Sequence, residues 1–382
     1  MYPLEKIRAD FPFLQQKKPV IYLDNAAASQ QPRCVIENYA SKHSVTINDF
    51  ALARHKVKAF INARCEQEII FVQSATQAIS VVAHAYGQAH FKKGDEIVIS
   101  AMEHQANSVP WQLLSQQIGV VLKIAPIHVS GELIFSEFEK LLNDKTKLIA
   151  LTHVSNVLGT INPIKKIIQA AHSKNIPVLI DGAQAIAHFK VDVQELDCDF
   201  YIFLGHKLYG STGAGVLYAK SRFLDAMSIY QTSNGSSAEL NFIKTKSQVG
   251  KIRSSQVIDI VNLGLAIDYL SGIGMAEIRA YETQLFHYAT EQLMQIKGLR
   301  IIGQAAEKVP ILSFVLAKIQ PVDLAILLNK AGIVIRAGDH RAIPIMKFYA
   351  IPATVRVSFA MYNTKQEIDV LLQVIDKLNS IR

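Results

Sequence analysis

Cysteine is scarce in this chain, with three in 382 residues: Cys34, Cys65 and Cys198. No two of them stand in C-x-x-C spacing, so neither a disulfide framework nor a zinc ribbon is indicated, and they read as inert thiols. Several motifs are also missing. There is no H-E-x-x-H, no histidine pair at helical ligand spacing beside a carboxylate, no G-K-[ST] phosphate loop and no G-x-G-x-x-G turn between strand and helix. Metal, P-loop and dinucleotide sites are therefore not expected. No uninterrupted apolar run is long enough to span a bilayer. Met1-Tyr2-Pro3-Leu4-Glu5-Lys6 lacks the charged-then-apolar order of a secretory signal, so a cytoplasmic protein without a membrane partner is expected. The net charge is +8, yet the basic residues fall in isolated pairs such as Lys17-Lys18, Lys92-Lys93 and Lys165-Lys166. With no basic run interleaved with aromatics, the excess reads as solvated surface with some attraction for anionic ligands, and nucleic acid is not an expected partner. Internal repeats, low-complexity tracts and a disordered tail are absent too.

What is present is enough apolar material, 50% of residues, to bury a large core, at a length that suggests two domains. From about residue 22 to 215 strand-like runs alternate with helical ones. Ile97-Val98-Ile99-Ser100, Val120-Val121-Leu122-Lys123-Ile124, Leu148-Ile149-Ala150-Leu151, Val178-Leu179-Ile180 and Phe200-Tyr201-Ile202-Phe203-Leu204 predict an α/β domain with a mainly parallel sheet covered on both faces. A polar stretch from Gln231 to Arg253 reads as an extended loop or hairpin. Helical periodicity over Val257 to Leu270 and Ile278 to Ile296 then leads to a second region with strands at Pro310 to Leu316 and Val355 to Phe359. The division expected is a short segment 1–20 packing with the small domain, a large domain 21–255 and a smaller α+β domain 256–382.

Two segments carry the chemistry, Asp181-Gly182-Ala183-Gln184 and Gly205-His206-Lys207. Each follows a buried-strand pattern, so each lies at the carboxyl edge of the sheet, where open α/β sheets bind ligands. A lysine amine and a carboxylate delivered to that edge suit pyridoxal 5'-phosphate. That cofactor needs an amine to hold its aldehyde and a carboxylate to keep its pyridine nitrogen protonated. Lys207 and Asp181 supply them. Ser74-Ala75-Thr76-Gln77 precedes a helical stretch, so the Ala75 and Thr76 region can present N–H groups to a phosphate, although an ordinary Ser N-cap explains the same residues. The run Gly210 to Gly215 reads as a close-packed turn into Val216-Leu217-Tyr218.

The chain resembles the SufS-type cysteine desulfurases and selenocysteine lyases of the class V aminotransferase family. The likeness is carried by Tyr22-Leu23-Asp24-Asn25-Ala26-Ala27-Ala28, Met102-Glu103-His104-Gln105-Ala106-Asn107, Val109-Pro110-Trp111, Thr152 to Gly159, Asp197 to Tyr201 and Ala360-Met361-Tyr362-Asn363-Thr364. It implies a fold-type I transferase with a seven-stranded-type sheet and a homodimer with its sites near the subunit interface. It also implies an amino-acid substrate and a sulfur-pathway or biosynthetic protein partner. By the same resemblance Gln184 meets the phenolic oxygen of the cofactor, and His104 stacks on its ring and moves protons, a task its ordinary pKa near neutrality would suit. His206 is a second phosphate contact, and Asn156 lies near the ring unless it is only a turn residue. Arg356 grips the substrate α-carboxylate, or else forms a structural ion pair in its apolar strand.

The pattern breaks at four places. Arg341, within Arg336-Ala337-Gly338-Asp339-His340-Arg341-Ala342-Ile343-Pro344, stands where relatives carry the nucleophilic cysteine, and a guanidinium has no lone pair to offer. Leu204 replaces a phosphate-binding serine, and Lys251 replaces a threonine lent to the partner subunit's phosphate. Asn38 to Arg54 is shorter than its counterpart and lacks an H-R-G-x-H-x-L-S segment. The expectation is elimination, transamination or epimerisation without a persulfide, and the competing reading is a non-catalytic or regulatory homologue.

Overall fold

The computed structural model describes residues 2–16, 20–41, 46–227 and 254–381. Both the polar stretch 231–253 and Lys251 lie outside them. Thirteen strands are present among the described residues: β1 Ile21–Tyr22, β2 Ile69–Val72, β3 Glu96–Ser100, β4 Val121–Ala125, β5 Thr146–Thr152, β6 Val178–Asp181, β7 Phe200–Leu204, β8 Gly215–Ala219, β9 Leu299–Ile302, β10 Ile311–Leu316, β11 Ile333–Val334, β12 Arg336–Gly338 and β13 Thr354–Ser358.

Seven of them form one sheet in the order β2-β8-β7-β6-β5-β3-β4. The pairs of β3 with β4 and β5, and of β5, β6 and β7 in turn, are parallel, whereas β8 runs antiparallel to both neighbours. Every residue of β3, β6, β7 and β8 is buried, as expected of strands covered by helices on both faces, which is why they read as unbroken apolar runs. The covering helices have ordinary causes. Ile164, Ile167, Ile168 and Ala171 make one buried stripe on the helix Ile164–His172. Helix Ile47–Phe60 opens on a reciprocal Thr46–Asp49 capping box, and Val109–Ile118 closes on Gly119 in the left-handed region.

The smaller sheet, β12-β13-β10-β9, is antiparallel. It packs with helices Met275–Met294, Pro321–Lys330 and Lys365–Ile381 around Leu285, Leu312, Phe314, Leu324, Val357 and Leu371.

The sequence-based domain limits need correction at both ends of the large domain. Strand β1 pairs with β11 and Leu23 is buried in the small-domain core, so residues 21–23 pack with the small unit. Helix Ser254–Ile273 instead buries Ile260, Leu263, Ala266, Ile267 and Leu270 in the large-domain core, and the boundary at 256 falls inside it. Its segment Gln256–Ile273 is long and apolar enough to cross a membrane by length and composition. A helix with one face in a core passes the same test, and this one packs with helices Arg33–Ala40 and Ile47–Phe60. The N-terminal segment touches both units: Ile7 and Phe11 enter the large core, while Arg8 pairs with Glu367 at 2.9 Å.

Candidate active site

Strand register collects the expected residues on one edge. Val72 and Leu204 both face Gly215, Ile202 faces Asp181, and Asp181 faces Thr152. The segments after β2, β7, β6 and β5 therefore leave the sheet side by side, at its carboxyl edge.

Asp181 ends β6, is buried, and accepts the Ala183 N–H at 3.0 Å. Burial pushes its carboxyl upward, against the pull of the Ala183 amide and the Lys207 amine. The residue after it must be glycine, because a Cβ at Gly182 would lie 2.1 Å from the Tyr201 ring. The Tyr201 hydroxyl meets His153 Nδ1 at 2.9 Å, and burial holds His153 neutral with a pKa of about 3. The backbone N–H of His153 donates to the Asp181 carbonyl at 2.8 Å, so the strand end is fixed from behind.

Lys207 sits on the short turn Gly205–Lys207 after β7. Burial lowers its amine to about 8, with Arg356 and Arg336 adding to the effect and Asp181 and Asp24 opposing it. A substantial neutral fraction near pH 8 makes it a usable nucleophile toward an aldehyde. His206 is anchored through its carbonyl, which accepts from the Ser29 amide at 2.9 Å and hydroxyl at 3.1 Å, and burial lowers its imidazole to about 4. An open cavity of about 420 Å³ beside it is lined by Phe13, Ser29, Gln31 and Thr212, without Lys207, Asp181 or Arg356.

At the start of helix Ala75–Val81 the Ser74 hydroxyl accepts the Gln77 amide at 3.1 Å. That cap leaves the Ala75 and Thr76 amides unbonded by it, directed along a positive helix end. Gln184 is less free than the resemblance implied, since its side chain donates to the Ala26 carbonyl at 2.9 Å.

His104 stands at the start of a short turn, Gln105–Asn107. Its Nδ1 accepts the Ala106 N–H at 3.1 Å, which assigns the proton to Nε2. Burial lowers the imidazole to about 4, followed by the positive charges of Lys207, Arg341 and Arg356. At that value the imidazole is neutral at physiological pH, with its Nε2–H free of the Ala106 contact.

Arg356 makes the structural ion pair that competed with its substrate role. One terminal nitrogen meets Asp24 Oδ1 at 2.9 Å and the other the Asn156 carbonyl at 2.9 Å. Asp24 Oδ2 simultaneously takes Arg336 Nε at 2.9 Å. Arg356 Nε and Asn156 Oδ1 are nonetheless buried without a partner, and buried polar atoms of this kind are normally satisfied. They give the site unspent donor and acceptor capacity beside Lys207. Asp24 and Arg336 escaped the sequence reading of the site although both lie in segments it singled out. The signal for them was a carboxylate and an arginine far apart in sequence, and only the pairing of β1 with β11 and β12 with β13 joins them.

Behind His104 lies a buried carboxylate, Glu103, whose role the sequence also did not disclose. Its oxygens accept from Ser100 Oγ, from Asn107 Nδ2 at 2.6 Å and from the Thr152 amide at 3.0 Å. Burial nevertheless raises it to about 7.

These residues fit pyridoxal phosphate: an amine with a lowered pKa, a carboxylate at a strand end, helix-start amides with His206 for an anion, and orphaned polar atoms around them. The chain matches the aminotransferase class V family over residues 21–371. It belongs to that family. A cysteine desulfurase of Yersinia pestis bv. Antiqua is 41% identical over 403 residues, covering 99% of each protein. The cysteine desulfurase of Synechococcus elongatus is 40% identical and the probable cysteine desulfurase 1 of Mycobacterium leprae 42%, with 99% of this chain covered in each case. This class V chain spans 64% and 66% of the length of those two relatives. Among solved structures, the cysteine desulfurase CsdA from Escherichia coli superposes with a TM-score of 0.90 at 31% identity, covering 100% of this chain and 99% of that one. The apo cysteine desulfurase of Thermococcus onnurineus NA1 gives 0.89 at 29% identity, again covering 100% and 99%.

Proposed function

We propose that this class V chain is a pyridoxal-phosphate enzyme acting on an amino acid, with elimination of a β-substituent ahead of transamination or epimerisation. The observation that carries the proposal is the meeting of Lys207, with its lowered amine pKa, and buried Asp181 at one sheet edge. When bound, the cofactor supplies an electron sink for the pair of electrons left when a bond to Cα breaks. The residues divide the remaining work. Lys207 would hold the cofactor through Nζ, and the same Nζ is the group that would take the proton from the substrate Cα. Asp181 would keep the pyridine nitrogen protonated by its charge, at a position made dry by the buried ends of β5, β6 and β7. Neutral His104 would offer its ring face and Nε2–H, the Ala75 and Thr76 amides with His206 would hold the phosphate, and Asn156 would border the ring. Arg356 has an unpartnered Nε for the substrate carboxylate. We place the protein in the cytoplasm as a homodimer.

Persulfide chemistry is outside this proposal because the described cysteines lie elsewhere. Cys198 is fully buried and its thiol is pushed far up by burial, Cys34 is exposed on helix Arg33–Ala40, and Cys65 contacts Ser221. The test has two parts. Purified protein reconstituted with the cofactor is expected to be fixed to it at Lys207 by borohydride, with the rate of loading rising through a midpoint near pH 8. Given L-cysteine and a reductant, it is expected to release sulfide together with pyruvate and ammonia, with no protein persulfide. A borohydride adduct on another lysine removes the first part. Stoichiometric alanine with persulfide on Cys34, Cys65 or Cys198 removes the second, and no spectral response to any amino acid favours the non-catalytic reading.

A further inference from the structure

The positive charges around Lys207 are unevenly balanced. Arg336 and Arg356 face each other across β12 and β13, and both pair with the single carboxylate of Asp24 through contacts of 2.9 Å. Arg341, five residues after Arg336, stands outside this triad. Among the described residues no carboxylate lies within ion-pair distance of its guanidinium. The acid nearest in sequence, exposed Asp339, spends Oδ1 on the backbone N–H of Arg341 at 2.9 Å and not on its side chain.

The backbone that carries Arg341 is held in place from several sides. Its carbonyl accepts the Gln105 amide at 2.8 Å, next to His104. The preceding carbonyl, of His340, accepts from Asn156 Nδ2 at 2.9 Å, and His340 Nε2 meets Thr354 Oγ1 at 2.9 Å, two residues before Arg356. His340 and Arg341 have φ of 51° and 56°. Two successive non-glycine residues in the left-handed region carry a cost of order 1–3 kcal/mol each, and such backbone persists where its surroundings over-determine it. The result is an exposed guanidinium mounted on a fixed loop between the ring-side histidine, the Asn156 turn and the Arg356 strand. Its charge is felt at the site, being one of those that depress the His104 imidazole.

We propose that Arg341 determines specificity, receiving an acidic side chain of the substrate, so that the site favours amino acids bearing a side-chain carboxylate or a comparable oxyanion over neutral ones, which it still binds. The assignment rests on the reading that Lys207 and Arg356 handle an amino acid. A planar, permanently charged fork suits a two-oxygen anion, and an unpaired one has a charge that a neutral side chain cannot answer. An amide isostere of the same shape offers one acceptor and opposes the fork with an N–H₂ group, which a site built for an anion disfavours.

The experiment is isothermal titration calorimetry on the cofactor-loaded full chain, with the isosteric pairs L-aspartate and L-asparagine, L-glutamate and L-glutamine, and with L-alanine as reference. Wild type is expected to bind at least one acid about ten- to a hundredfold more tightly than its amide, the range for a charge-assisted hydrogen bond. The margin is expected to shrink with added salt. Arg341→Gln removes the margin while leaving L-alanine affinity unchanged, and Arg341→Lys keeps part of it. Because the side chain is exposed, both variants keep the wild-type melting temperature. Equal affinities within both pairs, or a margin that survives Arg341→Gln, overturns the proposal while L-alanine binding leaves the amino-acid reading standing. Absence of binding by every amino acid overturns both.

Discussion

At the scale of single residues, Glu103 shows how burial and hydrogen bonding pull one carboxyl in opposite directions. Three donors converge on it, yet burial places its pKa at about 7, above the ordinary 4.5. A carboxyl raised in the folded state favours folding below its unfolded pKa, and that contribution is lost as pH rises through the folded value. In Glu103→Gln the new amide also turns a donor toward Asn107 Nδ2, which cannot flip freely because its Oδ1 accepts the Trp111 indole N–H at 3.1 Å. The variant is expected to be less stable than wild type at pH 5. The gap should narrow by on the order of 3 kcal/mol as pH rises from about 4.5 through 7. Urea denaturation of both proteins across that range checks it, and a gap independent of pH contradicts the raised pKa.

At the scale of elements, the helix Ser254–Ile273 is the one whose composition and surroundings point in different directions. Its apolar length alone suits a bilayer, but its register puts Ile260, Leu263, Ala266, Ile267 and Leu270 into the core shared with Phe50 and Val57. Gly264 lets the two helices come close, since a Cβ there would lie 3.3 Å from Ala53. Leu263, with no exposed area, therefore behaves as core: Leu263→Ala is expected to lower stability by about 2–5 kcal/mol, the cost of lost contacts and a cavity. Chemical denaturation reads it directly, and a change below about 1 kcal/mol would mean the site collapses or the helix is not anchored there.

At the scale of the whole molecule, Asp24 ties the units together. It follows a strand that pairs with β11, bridges Ser358 on β13, and takes two arginines of the small sheet, while Ala26 two residues on holds Gln184 of the large domain. Removing it leaves Arg356 charged and buried. Breaking one side of a buried pair costs about 3–5 kcal/mol, so Asp24→Ala is expected to lose that much, with Arg336 compensating little because it is half exposed. Denaturation of Asp24→Ala and of Asp24→Asn checks this, the amide recovering part of the loss. Equal stability of Asp24→Ala and wild type would show that the triad is not a structural clamp.

The sequence by itself determined the parallel part of the large sheet, because strands buried on both faces are written as unbroken apolar runs that no amphipathic helix imitates. It also put Asp181 and Lys207 at the carboxyl edge, since each directly follows such a run, and the motif density around them carried the family, which the match over residues 21–371 supports. What it could not supply were pairings between residues far apart: β1 with β11, helix Ser254–Ile273 with the large core, and Asp24 with Arg336 and Arg356. Nor could it give the protonation of His104, whose ordinary pKa suggested a proton carrier and whose burial beside three cations holds it neutral. Local pattern fixes which face of an element is apolar. The partner that covers that face, and the dielectric and charges a side chain meets there, are set only when distant segments pack.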